Sequence, residues 1–142
     1  LNQRQIQALG YCGLIPFYGC AVLAYRSDQP DFWIFLIHAY AGLIVSFLGA
    51  ISWGLVLSSR EMPASQRQWL VYWGVIPAIL GWVCIILPQE MRLGPLVALF
   101  AMTLAVDAYI HQKQALPAFW LTLRVRLTFG VILALMLAEF VH

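Results

Sequence analysis

Five long apolar blocks, separated by short polar connectors, constrain the fold of this chain more than any single residue does. The blocks cover residues 6–25, 32–57, 69–88, 93–110 and 119–141. Each block approaches or exceeds the roughly 20 residues that a helix needs to cross a bilayer. Because lipid offers the backbone no hydrogen-bond partners, only helices or a closed barrel can cross it. Barrel strands alternate polar and apolar residues over about 10 positions, so the longer, uniformly apolar blocks predict five transmembrane helices.

The composition also indicates a chain that is surrounded by lipid. Hydrophobic residues make up 63% of the sequence and charged residues only 10%, whereas soluble proteins carry about 25% charged residues. We therefore expect an all-α, polytopic membrane helix bundle that occupies residues 1–142 as a single domain. The net charge of +2 is scattered over the connectors, a distribution that does not indicate nucleic-acid binding.

The distribution of basic residues predicts how the bundle is oriented. Lys and Arg accumulate on the cytoplasmic side of membrane proteins. Six of the eight lie on the side of the N-terminus, namely Arg4, Arg60, Arg67, Lys113, Arg124 and Arg126. Arg26 and Arg92 lie on the other side. We expect a cytoplasmic N-terminus and a C-terminus, at His142, on the opposite side. The expected membrane is the bacterial inner membrane, or the mitochondrial inner membrane in a eukaryote.

The first and third blocks share a short motif that predicts helix kinks. The first block contains Gly-Leu-Ile-Pro, ending at Pro16, and the third contains Gly-Val-Ile-Pro, ending at Pro77. Proline within a helix frees a carbonyl group and bends the helix. Two bends at equivalent positions leave three interpretations open: packing of two kinked helices, a duplicated helical hairpin, and a binding site of the kind found at broken transporter helices.

Small residues at helical spacing predict where the helices pack. Membrane helices associate through close approach of their backbones at such residues, because lipid removes the hydrophobic drive between helices. The predicted packing positions are Gly42, Ser46, Gly49 and Ser52 in the second block, and Gly130 and Ala134 in the fifth. Packing within the bundle is the first interpretation of these positions, and a dimerisation face is the alternative.

Three sequence segments resemble the transmembrane protein 69 family, a group of small membrane proteins in proteobacteria and mitochondria. They are AGLIVSFLGAISWG at 41–54, WGVIPAILGW at 73–82 and LPAFWLTLRVRLT at 116–128. The most specific parts are Ser-Phe-Leu-Gly-x-Ile-x-Trp-Gly and Leu-Arg-x-Arg-Leu-Thr, and the likeness covers nearly the whole chain. The resemblance implies a helical inner-membrane protein and brings no established activity.

Ionisable residues within membrane spans are costly and often functional. Asp107 lies about one turn from the cytoplasmic end of the fourth block, at a depth similar to that of two arginines in the fifth. Residues two apart on a helix differ by about 200° in direction, so both arginines cannot face Asp107. Arg126 lies near Gly130, and we expect it to pair with Asp107 while Arg124 extends to the headgroups.

His38 lies in the outer half of the second block. Its expected role is a hydrogen bond between helices, and the alternative is a ligand or proton carrier. We expect Glu139, near the end of the fifth block, to be solvated at the membrane surface.

The sequence contains no catalytic motif, so no enzyme activity, metal or cofactor is expected. The first functional hypothesis is a non-enzymatic accessory or assembly subunit that packs against a larger respiratory or photosynthetic membrane complex. The alternative is a stand-alone protein that binds or transports a lipid, quinone or ion between the kinked first and third helices. The expected partners are membrane lipids and other integral membrane subunits, with a homo-oligomer as a further possibility.

Overall fold

The computed structural model describes residues 2–113 and 116–140, and the regular structure in these ranges is helical. A 3₁₀ turn at Gln89–Met91 precedes the sixth α-helix. Within the described residues, the seven α-helices are α1 Gln3–Cys12, α2 Ile15–Arg26, α3 Pro30–Ser58, α4 Ala64–Trp73, α5 Ile76–Ile86, α6 Leu93–Lys113 and α7 Ala118–Glu139.

The helices form five segments that are long and apolar enough to cross a membrane, which confirms the predicted five-span, all-α fold. They are span 1 Gln3–Arg26, span 2 Pro30–Ser58, span 3 Ala64–Ile86, span 4 Gln89–Lys113 and span 5 Ala118–Glu139. Span 3 begins earlier than its apolar block, because helical hydrogen bonding continues through polar residues that suit the headgroup region. The predicted end of the fifth block at residue 141 and the C-terminal His142 lie outside the described residues.

Two arginines cap helix ends at the connectors. The guanidinium of Arg67 donates to the carbonyls of Val56 (3.2 Å) and Ser59 (2.9 Å), at the end of α3. At the opposite end of the bundle, Nε of Arg92 donates to the carbonyl of Leu87 (2.8 Å), just after α5. The last carbonyls of a helix lack partners within it and carry a partial negative charge, so these cations stabilise the ends of spans 2 and 3.

Span 2 is the central helix of the bundle and contacts the other four spans. Around it, span 1 packs against span 5, span 5 against span 4, and span 4 against span 3. Spans 1 and 3 both pack extensively against span 2 and make at most minor contact with each other in the described residues. The side chains of all five spans meet in one apolar core, which includes Phe17, Ala41, Val45, Cys84, Phe100 and Ala134.

Glycines bring span 2 very close to span 3. A Cβ atom placed on Gly49 would lie 2.9 Å from Cγ of Pro77, and one on Gly81 would lie 3.3 Å from the carbonyl oxygen of Gly42. A side chain at either position would therefore push the two backbones apart. Ser46 donates a hydrogen bond to the carbonyl of Gly42 in its own helix (2.9 Å), and Ser52 is buried.

The small residues of span 5 face span 1 and the core. A Cβ atom on Gly130 would lie 2.9 Å from Cδ1 of Leu14. The carbonyl of Gly130 accepts a hydrogen bond of 2.7 Å from the hydroxyl of Tyr18. Ala134 is completely buried. The structure thus places these small residues at contacts between helices of one chain.

The helices of spans 1 and 3 are each interrupted by two turn residues just before the proline of the shared motif. Each begins with a helix of 10 residues, α1 or α4, and resumes with proline in the first turn of the next helix. Span 2 donates a hydrogen bond near each break. The hydroxyl of Tyr40 donates to the carbonyl of Gly13 (3.1 Å), and Nε1 of Trp53 donates to the carbonyl of Val71 (2.8 Å). The kinks are therefore hydrogen-bonded to the central helix.

We expect Gly49→Ala to destabilise the bundle and Gly54→Ala to leave it unchanged or slightly more stable. The added methyl group at residue 49 would collide with Pro77, whereas nothing lies within 4 Å of a Cβ atom at Gly54. Overpacking of this kind costs about 1–3 kcal/mol. The measurement is thermal unfolding of both variants in the same detergent. Equal stability of the two variants would contradict the close approach of spans 2 and 3.

Candidate functional site

A buried ion pair joins spans 4 and 5. Nε of Arg124 donates to Oδ2 of Asp107, and both residues are buried. Desolvation of two charges is expensive, and mutual attraction compensates for it when the geometry is close. The pair therefore ties α6 to α7 inside the bundle.

The prediction that Arg126 pairs with Asp107 was wrong. Arg124 belongs to the buried stripe of span 5, which continues through residues three or four positions apart: Thr128, Val131, Leu135 and Ala138. Arg126 is turned away from this stripe and is exposed, with Nη1 3.5 Å from the hydroxyl of Tyr11. Arg124 therefore does not extend to the headgroups. The position of Gly130 misled the prediction, because this glycine lies at the edge of the buried stripe.

An apolar cavity of about 200 Å³ lies beside Arg124. Spans 1, 2, 4 and 5 all contribute to its wall. The lining consists of apolar residues apart from Arg124 and Thr128, and includes Gly13, Leu14, Phe17, Ile44, Leu48, Phe100, Leu127 and Val131. The kink in span 1 forms part of this wall, because Gly13 and Leu14 are the residues at which that helix breaks.

Two hydrogen-bonding groups of the cavity lining have no partner among residues 2–113 and 116–140. They are Nη2 of Arg124 and Oγ1 of Thr128, and both atoms are buried. Each side chain is only 3% exposed, so neither reaches bulk water. Buried polar groups in proteins are nearly always hydrogen-bonded. Both atoms belong to the polar side chains that line the cavity.

The cavity borders the lipid-facing surface of the bundle. Leu9 of span 1 and Phe47 of span 2 both line the cavity, yet their side chains are 72% and 65% exposed. A lipid-soluble molecule could therefore enter between spans 1 and 2. The expected site lay between spans 1 and 3, whereas the lining of this cavity includes span 1 but no residue of span 3. The kink at Pro77 packs against span 2 instead.

A second polar cluster lies toward the other end of the bundle. Nε2 of His38 lies 3.5 Å from Oε1 of Glu139, and the imidazole is completely buried. The side chain of Glu139, which was expected to be solvated at the membrane surface, is 30% exposed and also lies against this histidine. The contact joins spans 2 and 5, although neither ring nitrogen makes a hydrogen bond to the described residues. His38 does not line the cavity at Arg124.

A larger crevice of about 680 Å³ lies among the connectors, and it is a weaker candidate. It is lined by polar and aromatic side chains such as Glu61, Gln66, Tyr109 and Lys113. The crevice is broad and open, so it gives a ligand little enclosure. The cavity at Arg124 is smaller, but it combines apolar walls with two polar side chains, which is the usual composition of a ligand site.

From the sequence, Arg124 was expected at the membrane surface, and Thr128 had no expected role. The sequence nevertheless contains a pattern that indicates a shared position for these two residues. Thr128 follows Arg124 by four residues, and this spacing puts both side chains on one face of a helix. The cavity itself depends on how four spans pack, which no spacing in the sequence reveals.

We expect Arg124→Gln to reduce the amount of folded protein sharply and Arg126→Gln to have little effect. Removal of one partner of a buried ion pair costs about 3–5 kcal/mol, because the other charge stays buried and unpaired. The measurement is the yield of monodisperse protein in size-exclusion chromatography after membrane extraction. A larger loss for the Arg126 variant would show that the assignment of the pair is incorrect.

Comparisons with known proteins identify relatives but no activity. A family model described as "Protein of unknown function (DUF3429)" matches residues 2–140. The chain is similar to Transmembrane protein 69 of Xenopus tropicalis, with 25% identity over 129 residues, which are 89% of this chain and 50% of that protein. The chain thus spans about half the length of this curated relative. No solved structure matches the chain. The resemblance recognised in the sequence is confirmed.

Proposed function

On the premise that the chain belongs to the DUF3429 family, whose description gives no activity, we propose a function from the geometry of the cavity. The protein is a non-enzymatic multi-pass membrane protein that binds one end of a lipid-soluble molecule. The binding site is the cavity formed by spans 1, 2, 4 and 5. This proposal keeps the lipid or quinone binding expected from the sequence and moves its location.

The observation that carries this proposal is the pair of unpartnered donors in an apolar cavity. Nη2 of Arg124 and Oγ1 of Thr128 are buried without a hydrogen bond in the described part of the chain. A buried polar group that loses its partner costs about 1–3 kcal/mol. A bound molecule with an acceptor atom would remove this cost at both groups, while its apolar part filled the remainder of the cavity.

The size of the cavity limits how much of a ligand it holds. Sites for whole small molecules usually have volumes of about 300–1,000 Å³, and this cavity has about 200 Å³. It therefore accommodates the head or the first part of a chain. The remainder of the ligand would extend between Leu9 and Phe47 into the surrounding lipid.

We expect Val131→Phe to remove the bound molecule and Val125→Phe to retain it. Val131 lines the cavity, where a phenyl ring would occupy the space of the ligand. Val125 lies on the same helix but is exposed to lipid. The measurement is native mass spectrometry of protein purified in a mild detergent, with the retained lipid-soluble molecules identified after release.

Ile44→Phe, which fills the same cavity from span 2, serves as a second variant if Val131→Phe does not fold. Circular dichroism and monodisperse elution establish that each variant is folded. A ligand retained at full occupancy by a folded, cavity-filled variant would exclude this cavity as its site.

A role as a subunit of a larger complex is the second candidate, and the exposure of span 1 favours it. Only 11% of the most apolar stretch of span 1 is buried, compared with 33–39% in each of the other spans. A helix of another protein, or of a second copy, could pack against this exposed side. The complex would belong to the bacterial inner membrane or the mitochondrial inner membrane, with the N-terminus on the cytoplasmic or matrix side as the basic residues indicate.

Gentle extraction followed by mass measurement separates the two candidates. For a stable subunit, we expect a partner protein at fixed stoichiometry, with crosslinks that involve span 1. For the stand-alone binding protein, we expect a single chain with a bound lipid-soluble molecule. The span 1 variant Val22→Trp would disturb a partner helix, because Val22 is 54% exposed, but would leave the cavity unchanged.

A further inference from the structure

We propose that the molecule in the cavity presents a neutral carbonyl oxygen, rather than an anionic headgroup, to Arg124 and Thr128. This inference rests on the proposed function, because it assumes that the cavity is a binding site. It assigns the chemical class of the ligand. Neither the description of the family nor the name of the similar protein mentions a ligand.

The charge of Arg124 is already balanced inside the bundle. Its Nε atom donates to the carboxylate of Asp107, so the pair has no net charge. A second anion in the cavity would leave one buried negative charge without a counterion, and such charges are very costly in an apolar environment. The cavity therefore favours a neutral group, although an arginine in its wall would otherwise suggest an anion site.

The remaining hydrogen-bonding capacity of the site is suited to an acceptor. Guanidinium nitrogens donate and cannot accept, and the hydroxyl of Thr128 is able to donate. Both groups lack partners among the described residues. A carbonyl oxygen has two lone pairs and no hydrogen, so it is able to accept two hydrogen bonds and brings no donor of its own that would need a partner.

Two common kinds of membrane molecule carry such a carbonyl next to an apolar chain. One is a lipid quinone, whose ring carries the carbonyl groups. The other is a glycerol lipid, whose acyl chains are joined through neutral esters. The cavity would recognise the neutral carbonyl that both kinds of molecule share. Direct binding measurements distinguish the quinone from the glycerol lipid.

The first experiment measures binding to the wild-type protein in dodecyl maltoside, a detergent without carbonyl groups. The probes are decyl-substituted benzoquinone, dioctanoylglycerol and decanesulfonate, which is a permanent anion. We expect at least one carbonyl probe to bind at least tenfold more tightly than decanesulfonate. The carbonyl probe that binds more tightly shows whether the natural ligand is a quinone or a glycerol lipid.

Thr128→Val tests the contact itself, with Thr103→Val as a matched control. Both threonines are buried, but Thr103 donates to the carbonyl of Phe100 in its own helix and does not line the cavity. Loss of one hydrogen bond corresponds to roughly fivefold weaker binding. We expect this loss for the carbonyl probe in the Thr128 variant and unchanged binding in the Thr103 variant.

Asp107→Asn tests the argument from charge. Without the carboxylate, Arg124 is a buried cation that lacks its counterion, so decanesulfonate should now bind and raise the thermal stability of the variant. We expect the preference between the anion and the carbonyl probe to reverse. If the variant unfolds on purification, recovery of folded protein by decanesulfonate and not by the benzoquinone gives the same result.

The outcomes separate this inference from the proposed function. Tight binding of decanesulfonate to the wild-type protein, abolished by Val131→Phe, would overturn the neutral-carbonyl assignment and leave the binding function in place. Equal effects of the two threonine variants, or no reversal in Asp107→Asn, would also overturn the assignment. Failure of all probes to bind, with no retained molecule in the purified protein, would overturn both.

Discussion

Lipid tails do not drive helices together, so the bundle depends on how closely span 2 approaches the helices around it. Gly49 lies against Pro77, and Gly42 lies against Gly81, so spans 2 and 3 are close enough for backbone atoms to touch. Tyr40 adds a hydrogen bond to the kink of span 1. Because span 2 is fixed to both kinked helices, its position determines where the other spans can pack.

The cavity follows from this arrangement. Span 1 is interrupted at Gly13 and Leu14, and the cavity lies beside this interruption. The same region of span 5 contains Arg124, whose charge is held by Asp107 of span 4. Packing thus places a neutralised arginine in an apolar wall near the lipid-facing surface, with one nitrogen that has no hydrogen-bond partner in the described part of the chain. This combination distinguishes the cavity from the open crevice among the connectors and from the pair of His38 and Glu139.

Particular residues show how far a sequence can predict such a site. The intramembrane position of Asp107 and the presence of an arginine partner follow from the cost of a charge in lipid. The choice between Arg124 and Arg126 does not, because it depends on the rotation of span 5 about its axis, and that rotation is set by the fit of Val131, Ala134 and Ala138 into the core. The expected position of Glu139 was likewise inferred only from its depth in the fifth block. Its contact with His38 of span 2 depends on how the two helices pack.

The sequence by itself determined the number of spans, their helical character and the places where spans 1 and 3 are interrupted. These features follow from local rules: apolar length, the hydrogen bonds that a backbone needs in lipid, and the missing N–H of Pro16 and Pro77. The tertiary structure alone decided the order of the helices around span 2, the arginine that pairs with Asp107, and the existence and location of a cavity. These features arise from contacts between residues far apart in the chain, because helices of similar hydrophobicity can pack in many orders and only the fit of their surfaces selects one.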